Sequence, residues 1–171
     1  MADYQRISHG FEPVFDERSR VLVLGSFPSA LSRENRFYYG NPRNRFWGVV
    51  AAALGEDEPP AGDLAGKREL LLRHGVALWD VIESCDVRGS SDASIRNVVP
   101  ADVARITDAA PIHAVLCNGG TAGRLYHRWL EPVAGMAAVV LPSTSPANAA
   151  WSLERLTERW REALLAALTA E

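Results

Sequence analysis

Four short apolar runs set the strongest constraint on how this 171-residue chain can fold. The runs at 21–24, 76–82, 112–117 and 137–141 are rich in β-branched residues. They are too short for ordinary helices and continuous rather than alternating, as strands covered on both faces must be. Helical patterns stand between them. Phe46 to Leu54 is apolar and alanine-rich, with Gly55 placed to end it, and Asp63 is placed to cap a helix through Arg73 with Gly75 just beyond. Pro100 to Ala109 and Thr121 to Leu130 read as two more helices, the first stopped by Pro111. Ser152 to Leu168 is the clearest, with Leu153, Leu156, Trp160, Leu164 and Leu168 on one stripe. Strands alternating with helices predict an α/β fold, a three-layer α/β/α sandwich around a central, mostly parallel four-stranded sheet. No repeat or composition break divides residues 1–171, which are expected to form a single domain. Residues 1–20 are expected to form an arm or an edge helix.

A chain this long buries roughly 70% of its unfolded surface, enough for a core without a metal or disulfide staple. Its two cysteines, Cys85 and Cys117, exclude a four-cysteine zinc or iron–sulfur framework within the chain and point to a reducing compartment. No run approaches the ~20 apolar residues that span a bilayer, and the first residues lack the apolar core of a signal peptide. A cytoplasmic protein is therefore expected. The net charge of −3 argues against a nonspecific nucleic-acid binder. Its distribution is uneven, however: Arg33, Arg36, Arg43 and Arg45 fall close together beside a single acid, Glu34.

Open parallel sheets bind ligands beyond the carboxyl ends of their strands, so the segment after each run is where chemistry is expected. Those segments are unusual here. The first strand is followed by Gly25-Ser-Phe-Pro-Ser29 and then Phe37-Tyr-Tyr-Gly-Asn-Pro-Arg-Asn-Arg-Phe-Trp47. The second leads to Cys85 through Asn97, the third to Asn118-Gly-Gly120, and the fourth to Leu141-Pro-Ser-Thr-Ser-Pro-Ala-Asn148. These loops offer aromatics, amides, hydroxyls and backbone N–H groups, with few carboxylates and no histidine. His9, His74, His113 and His127 lack ligand spacing, which disfavours a metal hydrolase. Gly25-Ser-Phe-Pro-Ser29 is not a Gly-x-Ser-x-Gly nucleophile elbow, and no Walker sequence is present. Asn118-Gly-Gly-Thr-Ala-Gly123 lacks dinucleotide spacing and suits tight strand-to-helix packing as well as a phosphate site. The remaining inventory suits a planar heterocycle beside phosphates: aromatics stack, amides pair with a base edge, and hydroxyls hold phosphate oxygens.

Taken together, these blocks resemble the uracil-DNA glycosylase superfamily, and within it the hypoxanthine-DNA glycosylase branch, over about residues 19 to 165. The resemblance implies a monofunctional enzyme that flips a deaminated nucleotide out of duplex DNA and hydrolyses its glycosidic bond. It requires no cofactor, metal or iron–sulfur cluster, and the chain is expected to act as a monomer. Position by position, it points to Asn44 as the catalytic amide that holds a water, although Asn44 equally suits a helix cap. It assigns base binding to Asn118, Tyr39, Ser26 and Phe27. It assigns DNA contacts to Ser143, Thr144, Ser145, Pro146, Ala147, Asn148 and Arg43, and supporting roles to Asp92, Ser94 and Asn97. Most branches carry Asp or Asn where Phe27 stands, and several carry a histidine where Leu141 stands, so leaving-group help here is expected from neutral dipoles. Hypoxanthine is the expected base. Uracil or another lesion remains open, as does a non-catalytic protein that binds damaged DNA or a purine, and a nucleotide-phosphate enzyme using the Gly-Gly-Thr turn.

Overall fold

The computed structural model describes residues 3–89 and 92–170. Its centre is a sheet of four parallel strands, β2 (Val21–Gly25), β3 (Val76–Asp80), β6 (Ala114–Asn118) and β7 (Ala138–Leu141), in the order β3-β2-β6-β7. Every residue of β2 and β3 is buried, as expected of strands covered on both faces. The chain leaves β2 towards β3 and leaves β6 in the opposite direction, towards β7. Right-handed crossovers then place the β2-to-β3 helices on one face and α5 (Gly120–Trp129) on the other. The direction of winding therefore reverses between β2 and β6, and a crevice opens at their carboxyl ends.

Most helices follow their local signals. On the first connection, the Ser29 side chain accepts the Ser32 N–H and caps α1 (Ala30–Asn35), a helix the apolar pattern did not indicate. Next come α2 (Phe46–Ala53) and α3 (Leu64–Arg73), the latter capped by Asp63 at the Gly66 N–H. In α7 (Leu153–Thr169) the Ser152 side chain accepts the Arg155 N–H, and the last-turn carbonyls of Ala167 and Leu168 bond to His113 and Arg20. The buried stripe of α7 is Leu156, Trp160, Ala163 and Leu164, while Leu153 stands outside it in solvent. Trp160 meets Phe46 of α2 edge-on and donates its indole N–H to the Pro142 carbonyl at 2.9 Å. The C-terminal helix thereby holds the loop that follows β7.

Three expectations are corrected. Residues 3–20, the described part of the expected arm or edge helix, form no helix: β1 (Gln5–Ser8) pairs antiparallel with β4 (Ile82–Val87), and Val14 exchanges two backbone hydrogen bonds with Leu78 on the outer edge of β3. The run at 76–82 is not one strand, because the chain turns at Val81 and continues as β4. That strand belongs to a second, antiparallel sheet, β1-β4-β5, completed by β5 (Arg96–Pro100). Pro100 to Ala109 is helical only over α4 (Ala104–Thr107), since Pro100 closes β5 opposite Ile82. The small sheet escaped the apolar pattern because one face is solvated. In β4 only Ile82, Cys85 and Val87 are buried, and cross-strand polar bonds such as Arg6 to Ser84 and Asn97 to Asp86 do work that apolar contacts do elsewhere.

Both cysteines are free and buried, and burial pushes the Cys117 thiol up to about 12. The thiols are expected to resist alkylation at pH 8 until the chain unfolds; reaction of native protein at the rate of a free thiol would contradict this packing. Trp160→Phe, which leaves the Pro142 carbonyl without its donor, is expected to cost about 2 kcal/mol in urea unfolding.

Candidate functional site

Four parallel strands in register end at one level. Gly25 pairs with Asp80 across β2 and β3, Leu24 pairs with Cys117 across β2 and β6, and Asn118 pairs with Leu141 across β6 and β7. Above these ends lies a cavity of about 310 Å³. The first loop contributes Ser26 and Phe27 to its lining, the aromatic segment contributes Tyr39 and Asn44, and β6 contributes Asn118. The loop after β7 adds Ser143, Thr144, Ser145 and Pro146. The four segments singled out by sequence thus contribute to one crevice.

One wall is a continuous hydrogen-bonded row. The Asn118 amide nitrogen donates to the Tyr39 hydroxyl at 3.1 Å and to Thr144 Oγ1 at 3.0 Å, while Asn118 Oδ1 accepts the Thr144 N–H at 3.0 Å. The Thr144 hydroxyl then donates to Asn44 Oδ1 at 2.8 Å. That same oxygen accepts the Phe46 N–H at 3.0 Å, so Asn44 satisfies the first N–H of α2 from one position before the N-cap, which is Arg45. Its carbonyl end is thereby committed to structure, and its NH2 group is what remains for a water. Thr144 is fully buried and joins the two asparagines.

Tyr39 sits at φ +53°, a left-handed conformation that costs a bulky residue about 1–2 kcal/mol and that here turns the ring inward. Phe46 covers one ring face, with centroids 4.0 Å apart at 22°. The other face or the hydroxyl edge is thus what Tyr39 can present. Burial, and after it the charge of Asp80, pushes the Tyr39 hydroxyl well above its usual range, so it stays protonated. Tyr38 is also pushed up by burial and Asp80, and its hydroxyl is spent on the Glu12 carbonyl.

The DNA-contact candidates divide. Pro146 and Ala147 are exposed in their loop, and Arg43 is exposed but does not line the cavity. Within the loop, Ser143 Oγ accepts the Ser145 N–H, Ser145 Oγ accepts the Ala147 N–H, and the Asn148 amide donates to the Ser143 carbonyl. Arg45 donates to the carbonyls of Ser145, Asn148 and Trp151, so this member of the basic cluster is a brace rather than a free cation. Gly119, at φ +95°, lets the turn into α5 pass Ser143; a Cβ there would stand 3.1 Å from that side chain. This is the tight packing anticipated for the Gly-Gly turn.

Of the supporting candidates, the side chain of Asp92 lies outside the described residues. Ser94 Oγ bonds to both backbone groups of Arg88 and closes the loop between β4 and β5. Asn97 is exposed on the small sheet, where its amide, ahead of Arg6, holds the Asp86 carboxyl below the usual range. Neither lines the cavity, although Val87, Gly89 and Ile95 beside them do.

Two groups were not assigned to the site from sequence: Arg33, named there only as part of the basic cluster, and Asp80. Arg33 lines the cavity with its guanidinium 5.8 Å from the Phe27 ring centroid and its buried Nε without a partner among the described residues. Asp80 lines it from the end of β3, 4% exposed, and its Oδ2 lies 2.8 Å from Nε2 of His9, which is 1% exposed. Among the described lining residues Asp80 is thus the one carboxylate and no histidine is present, as expected, but a histidine stands directly behind that carboxylate. His9 reaches this place through the pairing of β1, a non-local contact; the signal available for Asp80 was its position at a strand's carboxyl end. Among the described residues, no group of three or more metal-ligating side chains is assembled, and no helix is long and apolar enough to cross a membrane.

A model of the uracil DNA glycosylase superfamily matches residues 12–169. The chain is 36% identical over 154 residues to a hypoxanthine DNA glycosylase of Methanosarcina acetivorans, spanning 89% of this chain and 95% of that protein. It is 34% identical over 155 residues to a hypoxanthine DNA glycosylase of Methanosarcina barkeri, spanning 90% and 96%. A solution NMR structure described as a uracil DNA glycosylase from Methanosarcina acetivorans superposes with a TM-score of 0.79 at 33% identity, covering 95% of this chain and 99% of that one.

Thr144→Val keeps the shape of the link between the asparagines but leaves an Asn118 N–H unpaired. It is expected to cost about 2 kcal/mol in urea unfolding. A change below about 0.5 kcal/mol would show that the row is not a stabilising unit.

Proposed function

The chain belongs to the uracil DNA glycosylase superfamily, and from that premise we propose that it excises deaminated bases from DNA, with hypoxanthine the preferred one. The observation that carries this reading is the row Asn44–Thr144–Asn118–Tyr39 along one wall of a cavity at the strand ends, where a flipped base would lie. The substrate is double-stranded DNA bearing the lesion. The chain works as a single glycosylase domain over residues 1–171, as a monomer, in the cytoplasm, and without a metal, iron–sulfur cluster or cofactor.

Hydrolysis breaks the bond between C1′ and the base nitrogen, and the electron pair departs with the base. A water oxygen bonds to C1′, and one of its protons ends on the base. Positive charge grows on the sugar and negative charge on the base, so the site must favour both. In this reading Asn44 donates its free amide N–H to the water and leaves the water's second lone pair for C1′. Asn118 answers the base edge by exchanging one of its internal partners for the base, and Tyr39 and Phe27 supply aromatic surface. Ser26 sits in the turn whose backbone dipoles face the departing base; Leu141 is buried and offers no proton. Ser143 and Ser145 hold phosphates through their hydroxyl protons, with Arg43 as an exposed cation, whereas Thr144, expected as a DNA contact, is fully buried with its N–H and hydroxyl bonded to the two asparagines and is a brace instead. Pro146, Ala147 and Asn148 approach the gap left by the flipped nucleotide. Ser94 and Asn97 brace the neighbouring hairpin. Extrusion costs a few kcal/mol, least for a poorly paired base, which adds selectivity.

A duplex with one deoxyinosine is expected to become alkali-labile on incubation with the protein, and faster than a matched deoxyuridine duplex. Binding without turnover on either would favour a lesion-binding protein instead. Asn44→Ala is expected to slow single-turnover excision about 100-fold while leaving lesion-duplex affinity within about threefold. Equal loss of both would reduce Asn44 to its structural role at the start of α2. Asn118→Ala is expected to change mainly which base is accepted.

A further inference from the structure

The buried pair His9–Asp80 stands against the cavity and has no part in the row on the opposite side of Gly25. His9 Nδ1 lies 3.0 Å from the Phe11 carbonyl oxygen. A carbonyl only accepts, so Nδ1 carries a proton. Nε2 then either donates to an ionised Asp80 or accepts from a protonated one, through Oδ2 at 2.8 Å. Both arrangements are neutral overall, which keeps the carboxyl from opposing a departing base with a net charge. Both also leave the other oxygen, Oδ1, an acceptor only.

Asp80 Oδ1 accepts no hydrogen bond among the described residues, and it stands at Gly25, 2.4 Å from the point a Cβ would occupy. The Tyr39 hydroxyl lies 3.0 Å from the same point. One of its lone pairs takes the Asn118 amide, and its proton has no acceptor among the described residues. An acceptor and a donor therefore stand side by side over a residue that has no side chain to separate them from a ligand.

Deamination inverts the hydrogen-bonding edge of a base. In adenine the ring nitrogen N1 accepts and the 6-amino group donates; in hypoxanthine N1–H donates and O6 accepts. We propose that Asp80 is a specificity-determining residue that reads this inversion: its Oδ1 accepts the lactam N–H while the Tyr39 hydroxyl donates to the adjacent carbonyl oxygen, with His9 as the positioning residue. The proposal rests on the glycosylase reading above and deepens it. Adenine would set its N1 lone pair against Oδ1 and its amino group against the Tyr39 proton, and leaving buried polar groups mismatched is what gives polar pockets their discrimination. Uracil and hypoxanthine share the lactam edge, as do guanine and thymine, so the pair rejects adenine and cytosine and leaves ring size and the exclusion of guanine and thymine to other walls.

The test compares deoxyinosine with deoxynebularine, whose purine has a bare N1 acceptor, in otherwise identical duplexes under single-turnover conditions. Wild type is expected to prefer deoxyinosine, and Asp80→Asn, which can present an N–H to N1, is expected to lower that preference at least tenfold. His9→Gln is expected to lower it in the same direction. Equal loss on both substrates, or an unchanged ratio, would overturn the assignment while leaving the glycosylase reading intact. Wild type inert on deoxyinosine would overturn both. Should the variants fail to fold, competitive inhibition of wild type by free hypoxanthine against free purine decides: hypoxanthine is expected to bind at least tenfold tighter, and equal inhibition would overturn the proposal.

Discussion

The parallel register of the central sheet is the constraint on which the site depends. Because β3, β2, β6 and β7 run the same way and end together, Asp80, Gly25, Asn118 and Leu141 arrive at one level without any loop having to place them. The reversal of winding between β2 and β6 opens the space above them. Gly25 keeps that space usable. Any side chain on it would strike Asp80 Oδ1 and press on the Tyr39 hydroxyl. Asp80 and Asn118 stand on strand ends, which the buried core holds rigidly, while Tyr39, Asn44 and Thr144 stand on the loops above them.

Much of the surrounding structure serves to stiffen what the strands cannot hold. Trp160 bonds to the Pro142 carbonyl, Arg45 ties three carbonyls of the following turn, and Thr144 bridges Asn44 and Asn118. The Ser-Thr-Ser segment is thus fixed from a helix, a loop and a strand at once. The whole-chain charge of −3 says little about DNA in this setting, because Arg45 is turned inward while Arg33 lines the cavity and Arg43 is exposed. Hydroxyl donors hold phosphate without long-range attraction, which suits an enzyme that must leave undamaged DNA quickly.

The legible parts of the chain were those whose signal is local. The four buried strands declared themselves as apolar runs, Asp63 and Ser152 as caps, and the strand-end loops by their amides and aromatics. Asn44 was read as both cap and amide; Arg45 takes the N-cap position, and the Asn44 oxygen instead accepts the Phe46 N–H from one place earlier. The small sheet stayed hidden because β1 and β5 are mostly solvated and polar, carrying Arg6, Arg96 and Asn97 in place of an alternating apolar pattern. His9 was set aside for the same reason: only the pairing of β1 with β4 brings it to Asp80.

By itself, then, the sequence determined the parallel α/β core and the loops that carry the chemistry, because burial on both faces demands continuous apolar strands and because turn and cap residues act within a few positions. The tertiary structure decided which polar atoms are spent and which are free: that Asn118 and the oxygen of Asn44 are committed to their neighbours, that Arg45 is a brace, and that a carboxyl held by a histidine 71 positions away faces the cavity. Hydrogen-bond satisfaction depends on groups brought together from distant parts of the chain, and the chain order alone does not record those meetings.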